Sequence, residues 1–213
     1  KKIKNFKFSK NLVFAGGCAL NSSANRILTN DKKYFENTYI PFAPGDNGGA
    51  LGAAMIVLAN TGYSLDNGGS PYLGKKFSDE YVQKLIINSP YNIKITSKFI
   101  KDESHLFKTT AKLISEGKVI GWFQDKMEFG PRALGNRSIL ADPRNPNMKN
   151  IINMKIKRRE SFRPFAPSVL EKFQTDWFND SFISPYMSSL AFVKEEKKKL
   201  IPAITHVDGT ARL

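Results

Sequence analysis

Two units of apolar run, glycine-rich turn and helix organise the first sixty residues. The first apolar run ends at Gly16-Gly17 and the second at Pro44-Gly45. A short apolar run that stops at glycine or proline is typical of a buried strand. The predicted strands and helices are, in chain order, residues 12–15, 20–28, 39–43 and 50–60. Because strand and helix alternate, this part of the chain is predicted to form an α/β layer.

The hydrophobic pattern changes after this layer. Residues 61–76 are rich in glycine, serine and proline without periodicity, which indicates a connection between domains. A helix is predicted to begin at Ser78, a good N-cap, and a second to end at Gly117, a typical C-terminal residue. Strands are predicted at residues 93–96, 119–123 and 165–170, and a helix at 147–158. We therefore expect three regions, residues 1–62, a connector at 63–104, and a second α/β domain at 105–213.

The net charge of the chain indicates which kind of partner it binds. Lys and Arg number 33 against 19 Asp and Glu in 213 residues, a formal net charge of +14. Such an excess favours anionic partners such as phosphates, nucleotides or nucleic acid. The single cysteine, Cys18, excludes an intramolecular disulfide and fits a reducing cytoplasm. The longest apolar run, around residues 50–59, is far shorter than the ~20 residues of a membrane span, so a membrane channel is excluded.

The two glycine turns are the first candidate site. Gly16, Gly17 and Asn21 stand between a predicted strand and a predicted helix, where backbone N–H groups can contact a phosphate or ribose. A purely structural turn is the alternative, because the pattern is neither a P-loop nor a dinucleotide fingerprint. Asp46, in the second turn, can be a helix N-cap or a metal ligand. The two histidines form no spaced ligand pair, so the sequence shows no complete metal site.

Basic residues framed by glycine, proline and phenylalanine form the second candidate site. They are Arg132, Arg137, Lys157, Arg159 and Arg163, and Arg212 can join them from the end of the chain, where Asp208-Gly209 predicts a turn. Arginine presents a planar fork to phosphate or carboxylate, and lysine adds a compact charge. A solvated helix end is the alternative, and it accounts for Lys155 and Arg158 better than for Arg163, which lies between aromatic and proline residues. The pattern favours a phosphate-handling pocket.

Five blocks stand in a fixed order along the chain. They are Gly16-Gly-Cys-Ala-Leu-Asn21, Pro44-Gly-Asp-Asn-Gly-Gly-Ala-Leu-Gly52, residues 121–138, Lys157-x-Arg159-Glu-x-Phe-Arg-Pro-Phe-Ala-Pro167 and His206-Val-Asp-Gly-Thr-Ala-Arg212. Together they resemble the O-carbamoyltransferases of the nodulation-factor and antibiotic-tailoring type, over almost the whole chain. The resemblance implies the end of an ASKHA (actin-like ATPase) domain in residues 1–62, joined to an α/β YrdC-like domain with a twisted mixed sheet in residues 105–213.

The resemblance also implies a reaction. In this family the YrdC-like module uses carbamoyl phosphate and ATP to form carbamoyl adenylate. The ASKHA module then transfers the carbamoyl group to a hydroxyl of a small-molecule or glycan acceptor, with bound nucleotide and a divalent metal, iron or magnesium. By position, the resemblance implies catalytic roles for Lys157, Arg132, Arg163 and Arg212, substrate binding by Arg137 and Arg159, nucleotide contacts from Gly16, Gly17 and Asn21, and a metal ligand in Asp46.

The family pattern extends beyond both ends of this chain. Its paired metal histidines would precede residue 1 and a further segment would follow residue 213, so we expect a fragment that lacks full transfer activity. A basic RNA-binding module is the alternative, but Phe162 and Phe165 are predicted to be core residues and leave no aromatic platform for bases. A non-catalytic interaction fragment is a third interpretation. We expect a cytoplasmic location, no membrane or nucleic-acid partner, and an acceptor that the sequence does not identify.

Overall fold

The first part of the chain is a small parallel α/β unit. The computed structural model describes residues 9–31, 35–63, 69–89, 96–180 and 182–213. The elements of the first unit are β1 (Asn11–Val13), a 3-10 turn (Gly17–Leu20), α1 (Ser22–Asn30), β2 (Asn37–Tyr39) and α2 (Asp46–Asn60). β1 and β2 pair in parallel, with Leu12 opposite Thr38. Both glycine turns therefore follow the carboxyl end of a strand, as the pattern predicts.

The two strands are shorter and more exposed than predicted. The strand predicted at residues 12–15 is present as β1, but it ends at Val13, which is 71% exposed, so the prediction that the strand is buried is wrong. β2 ends at Tyr39, and the buried residues Phe42 and Ala43 lie in the turn after it. Pro41 has no N–H to donate to a strand partner, which explains why the ladder stops before it.

The second glycine turn provides a prediction about stability. A Cβ atom built on Gly48 would overlap the backbone carbonyl oxygen of Ala43, whereas one built on Gly49 would meet nothing within 4 Å. Gly48→Ala is therefore expected to lower the free energy of unfolding by about 2 to 3 kcal/mol, since the backbone must shift. Gly49→Ala is the matched control, and its better helix propensity should leave stability equal or slightly higher. Urea denaturation of both full-length variants measures the difference, and equal stability would contradict the observed turn geometry.

The middle of the chain carries two helices whose ends match their sequence signals. α3 (Asp79–Ile87) begins where the Ser78 hydroxyl accepts a hydrogen bond from the Tyr81 N–H at 3.2 Å. α4 (Glu103–Ser115) ends just before Gly117, whose φ of +84° needs glycine. Both predicted ends are confirmed. A strand is predicted at residues 93–96, and residues 93–95 of it lie outside the described ranges.

The last hundred residues combine short strands and short helices. They contain β3 (Ile120–Phe123), β4 (Arg137–Leu140), α5 (Met148–Ile151), a π-helical turn (Ile152–Ile156), a 3-10 turn (Glu171–Phe173), α6 (Gln174–Trp177), β5 (Leu190–Phe192), α7 (Glu195–Lys198) and β6 (Thr210–Arg212). β3 pairs with β4 and β5 with β6, both antiparallel. The described strands thus form three separate two-stranded sheets, and the coarse prediction of a mixed α/β fold is confirmed.

Two strand predictions in this region need correction. Residues 165–170 form no regular strand, because Pro164 and Pro167 lack the N–H groups that a ladder requires. The strand predicted at residues 119–123 exists as β3, but it is not buried, and Phe123 is 52% exposed. The predicted helix at 147–158 is present as α5 and its π-helical continuation.

Two clusters of buried apolar residues lie in the last hundred residues. One packs beneath β5 and β6 and contains Phe178, Ala191, Val193, Ile201, Ile204, Ala211 and Leu213. The other contains Met148, Ile152 and Ala203. Phe165 packs against both clusters, as its prediction as a core residue requires. The same prediction is wrong for Phe162, which is 73% exposed.

Helix α1 ties the first unit to this core region. Asn25 is fully buried and donates hydrogen bonds through Nδ2 to the backbone oxygens of Ala19 and Ser188, at 2.8 and 2.7 Å. The Arg26 guanidinium lies 3.2 Å from Asp180 and packs over the Phe192 ring. The buried amide and the ion pair hold α1 against β5.

In the described part of the chain, every helix falls short of the length and apolar character that crossing a membrane requires.

Candidate functional site

An open cleft of about 520 Å³ lies over the core of the last hundred residues. Its walls are the loop at 131–135, part of β4, the segment at 164–169, the segment at 183–187 and the end of β6. Four of the predicted basic residues line it together, namely Arg132, Lys157, Arg159 and Arg212. Residues up to 80 positions apart in the sequence thus meet at one surface.

The arginines of the cleft crowd one another. Burial lowers the pKa of Arg212, and the positive charges of Arg132 and Arg159 lower it further, to about 10. The Nε atom of Arg212 is buried and has no hydrogen-bond partner within the described residues. Burial also lowers the pKa of Arg132. Guanidinium groups held together at this mutual cost form a site that an anion would stabilise.

The charge of the cleft is nearly one-sided. Among its described lining residues, Glu171 is the single carboxylate, and it is exposed to solvent. Backbone and apolar groups supply the rest of the wall, including Pro131, Pro164 and Pro167. Proline restricts the backbone, so these positions make the wall next to Arg132 and Phe165 rigid.

The π-helical turn directs Lys157 and Arg159 into the cleft. The Lys157 N–H donates to the Ile152 oxygen, a five-residue spacing that widens the helix at its end. Arg158 then adopts a left-handed backbone with φ of +47° and stays exposed outside the cleft, as the solvated alternative predicted. Lys155 is also exposed and outside it.

A buried amide fixes the Arg159 guanidinium. Asn153 is fully buried, and its Oδ1 accepts a hydrogen bond from Arg159 Nε at 2.7 Å. Its Nδ2 donates to the backbone oxygens of Ser161 and Arg163, at 3.2 and 2.8 Å. The guanidinium also lies over the Phe165 ring, 5.0 Å from its centre. Sequence reasoning missed Asn153, since a lone asparagine in a helix gives no signal of its own.

A polar turn supports Arg212. Asp208 accepts hydrogen bonds from the backbone N–H and the hydroxyl of Thr210, at 3.0 and 2.7 Å, and Gly209 adopts φ of +79°. The predicted Asp-Gly turn is therefore present. His206 Nδ1 lies 3.0 Å from the Thr210 hydroxyl. Burial lowers the pKa of His206, the Asp208 charge opposes this, and the Arg212 charge lowers it further.

Two of the predicted arginines lie outside the cleft lining. Arg163 donates through Nε to Glu160 at 2.6 Å, and its side chain is half exposed. Arg137, in β4, lies with its Nε 3.8 Å from Glu128. The structure thus separates the six predicted cations into four that share the cleft and two that pair with neighbouring carboxylates.

Glu128 is a second residue that sequence reasoning left without a role. Its Oε1 accepts hydrogen bonds from the backbone N–H groups of Leu134, Asn136 and Arg137, at 2.8, 2.8 and 3.1 Å. Burial raises the pKa of Glu128, but these bonds outweigh it and leave the pKa below its ordinary value. The available signal was an acidic residue shortly before Gly130 and Pro131.

The two glycine turns of the first unit lie side by side. The Gly16 N–H donates to the Pro44 oxygen at 2.7 Å, which brings Gly16, Gly17 and Asp46 to one edge. Asn21 caps α1, since its Oδ1 accepts from the N–H groups of Ser23 and Ala24. Arg132, which lines the cleft, also lines a small crevice together with Ala19 and Pro44, so the turns adjoin the cleft.

Asp46 was predicted as a helix N-cap or a metal ligand. It is exposed at the first position of α2, where Gly45 is the N-cap and makes no side-chain capping bond. Within the described ranges, no three His, Cys, Asp or Glu side chains gather as a metal site would require. These residues by themselves therefore do not fit a metal ion.

Comparison with known proteins gives the same family over two segments. Residues 111–213 match the family described as carbamoyltransferase C-terminus, and residues 2–55 match carbamoyltransferase N-terminus. An uncharacterized protein of Synechocystis is 42% identical over 230 residues, which cover 96% of this chain and 37% of that protein.

Two nodulation proteins are similarly related. Nodulation protein NolO of Bradyrhizobium diazoefficiens is 40% identical over 207 residues, covering 95% of this chain and 37% of that protein. Nodulation protein NolNO of Sinorhizobium fredii is 41% identical over 213 residues, covering 96% and 30%. The chain spans about a third of the length of these relatives. With matches to both the N-terminal and the C-terminal family descriptions, this chain belongs to the carbamoyltransferase family.

Proposed function

We propose that this chain is the carbamoyl-activating part of an ATP-dependent O-carbamoyltransferase. In this proposal residues 105–213 form a YrdC-like domain that binds carbamoyl phosphate and ATP, and residues 1–62 belong to an ASKHA-type domain that transfers the carbamoyl group to an acceptor hydroxyl. The observation that carries the proposal is the cleft in which Arg132, Lys157, Arg159 and Arg212 face one space.

The charges of the substrates explain why such a cleft would be needed. Carbamoyl phosphate and ATP bring several negative charges into one cavity, and their mutual repulsion opposes reaction. Carbamoyl phosphate, ATP and water would be consumed, and phosphate, pyrophosphate and carbamoyl adenylate would be formed. Cations fixed before the substrates arrive stabilise the charge that develops on the phosphoryl oxygens.

Each cation contributes differently in this proposal. Arg212 and Arg159 present planar forks to phosphate oxygens, while Lys157 supplies a mobile point charge at the open side of the cleft. Carbamate and carbamoyl adenylate are both labile in water, so the proposed reaction would require this open cleft to be covered when the substrates are bound. Gly16, Gly17 and Asn21 would contact nucleotide at the adjoining turns.

In this proposal the full-length protein also binds a divalent metal, iron or magnesium. Asp46 would contribute one carboxylate, and the remaining ligands would come from residues beyond this chain.

The test follows phosphate and pyrophosphate release from carbamoyl phosphate and ATP in the full-length protein, without acceptor. Pyrophosphate release that requires carbamoyl phosphate is expected, and Lys157→Ala should lower its rate by at least about tenfold, since one charged contact is lost. Lys155→Ala is the matched control, because Lys155 lies two residues away and outside the cleft. It should react at the unaltered rate.

Two outcomes would contradict the proposal. Equal rates in both lysine variants would remove Lys157 from the reaction. Absence of pyrophosphate release from a folded protein that still binds nucleotide would favour a binding module, and salt-sensitive RNA binding would then identify it.

A further inference from the structure

Glu128 is a carboxylate placed where a charge is costly. Its side chain is only 1% exposed. A buried carboxylate needs hydrogen bonds or a paired cation to offset the loss of water. All the donors that its Oε1 receives are backbone N–H groups of one short loop, from Leu134, Asn136 and Arg137. The side chain therefore closes the loop at 128–137 into a ring.

Arg132 stands at the far side of this ring. Gly130 and Gly135 flank it with φ of +120° and +108°, conformations that favour glycine. A Cβ atom on Gly130 would lie 2.8 Å from the Phe42 oxygen, so the first unit packs directly against the loop. The left-handed backbone at Gly130 and Gly135 turns the chain on either side of Arg132.

The connector holds the same ring from outside. The Tyr72 hydroxyl donates to the Leu134 oxygen at 3.0 Å. The Phe129 N–H donates to the Pro71 oxygen at 2.6 Å, and the Gly74 N–H donates to the Met127 oxygen at 2.9 Å. The loop is thus fixed by a carboxylate inside and by residues 71–74 outside.

A fixed loop opposes the electrostatic repulsion between the arginines of the cleft. Arg132 and Arg159 both repel the Arg212 guanidinium, and no carboxylate among the described residues bridges them. A flexible loop would relax by moving Arg132 toward solvent, and the cluster would open before an anion arrived. We propose that Glu128 is a positioning residue, which holds the 128–137 loop so that Arg132 already faces Arg212 before an anion binds. This inference rests on the proposed function of the cleft.

The experiment measures binding of inorganic pyrophosphate to the full-length protein by calorimetry. Glu128→Gln keeps the shape of the side chain and an acceptor oxygen, but removes the charge that strengthens its three bonds. We expect this variant to bind pyrophosphate about tenfold more weakly. Asp142→Asn is the matched control, because Asp142 is another buried carboxylate and pairs locally with Arg144 outside the cleft. Its affinity should remain within about twofold.

The direction of the change in pyrophosphate affinity shows whether Glu128 acts by positioning the loop or only through its negative charge. A carboxylate that acted only through its charge would repel pyrophosphate, so its removal would tighten binding. Weaker binding is expected only if the loop moves. In an Arg132→Ala background the Glu128→Gln change should alter affinity by less than about twofold, because the residue it positions is gone. Additive losses in the double variant would overturn the inference.

If Glu128→Gln fails to fold, a second variant tests the same loop. Tyr72→Phe loosens the same loop from outside and keeps the aromatic ring, and it should weaken pyrophosphate binding in the same direction. Unchanged affinity in folded Tyr72→Phe and Glu128→Gln proteins would overturn the inference. If Arg132→Ala and Arg212→Ala bind pyrophosphate like the unaltered protein, the proposed function of the cleft fails instead.

Discussion

Arg212→Ala in the full-length protein is expected to lower the rate of pyrophosphate release by about 100-fold or more while leaving the fold intact. Removing one fixed donor to developing oxyanion charge costs about 10²–10³ in rate. Arg212 faces Arg132 and Arg159 in the cleft, and its buried Nε has no partner among the described residues. Those features are expected of a guanidinium group that binds an anion. Pyrophosphate release from carbamoyl phosphate and ATP is the measurement.

The same substitution should not destabilise the protein. Alanine removes a half-buried cation that two neighbouring cations repel, so the midpoint of thermal unfolding is expected to stay equal or rise. Arg212→Lys keeps the charge but loses the planar fork, and its rate should lie between those of the alanine variant and the unaltered protein. Arg158→Ala is the control, since Arg158 is exposed in the same basic region. A stable Arg212→Ala protein with full activity would remove Arg212 from the proposed site.

Asn153→Ala is expected to have the largest effect on stability, lowering the free energy of unfolding by about 3 kcal/mol. The fully buried Asn153 amide makes three hydrogen bonds, one of them to the charged Arg159. Each hydrogen bond contributes about 1 kcal/mol. Loss of the amide also leaves the backbone oxygens of Ser161 and Arg163 without this donor. Pyrophosphate release should also fall, because the Arg159 guanidinium loses its anchor. Urea denaturation and the release assay measure the two effects.

A neighbouring asparagine provides the control for this prediction. Asn150 lies one turn earlier in α5 and is exposed, so Asn150→Ala should change stability by no more than about 0.5 kcal/mol. If Asn153→Ala proved as stable as Asn150→Ala, the buried hydrogen bonds around Asn153 would not support the Lys157–Phe165 segment.

Local signals predicted local structure well. Ser78 and Gly117 mark real helix ends because a cap depends only on residues within one turn. The alternation of strand and helix in the first sixty residues is real for the same reason. The strand at 165–170 failed because its apolar residues fill the core from an irregular segment, as Phe165 does, and Pro167 prevents pairing.

The site was predictable as a set of residue types but not as an arrangement. Arginine and lysine among proline and glycine predicted an anion pocket, and four of those cations do meet. Which cations face inward depends on the left-handed turn at Arg158 and the Arg163–Glu160 ion pair. Glu128 and Asn153 act through backbone groups several residues away, and no spacing rule in the sequence marks such contacts.

The contacts of α1 bear on how such enzymes can recombine. Asn25 and Arg26 reach Ser188 and Asp180, across the segment that separates the two family matches. Relatives that exchanged their halves at a crossover within residues 56–110 would inherit one side of each pair from each parent. Hybrids would keep both contacts only if the parents agree at Asn25, Arg26 and Asp180, because Ser188 takes part through its backbone oxygen. Exchange of halves between family members is therefore restrained by a buried amide and an ion pair that lie outside the cleft lining.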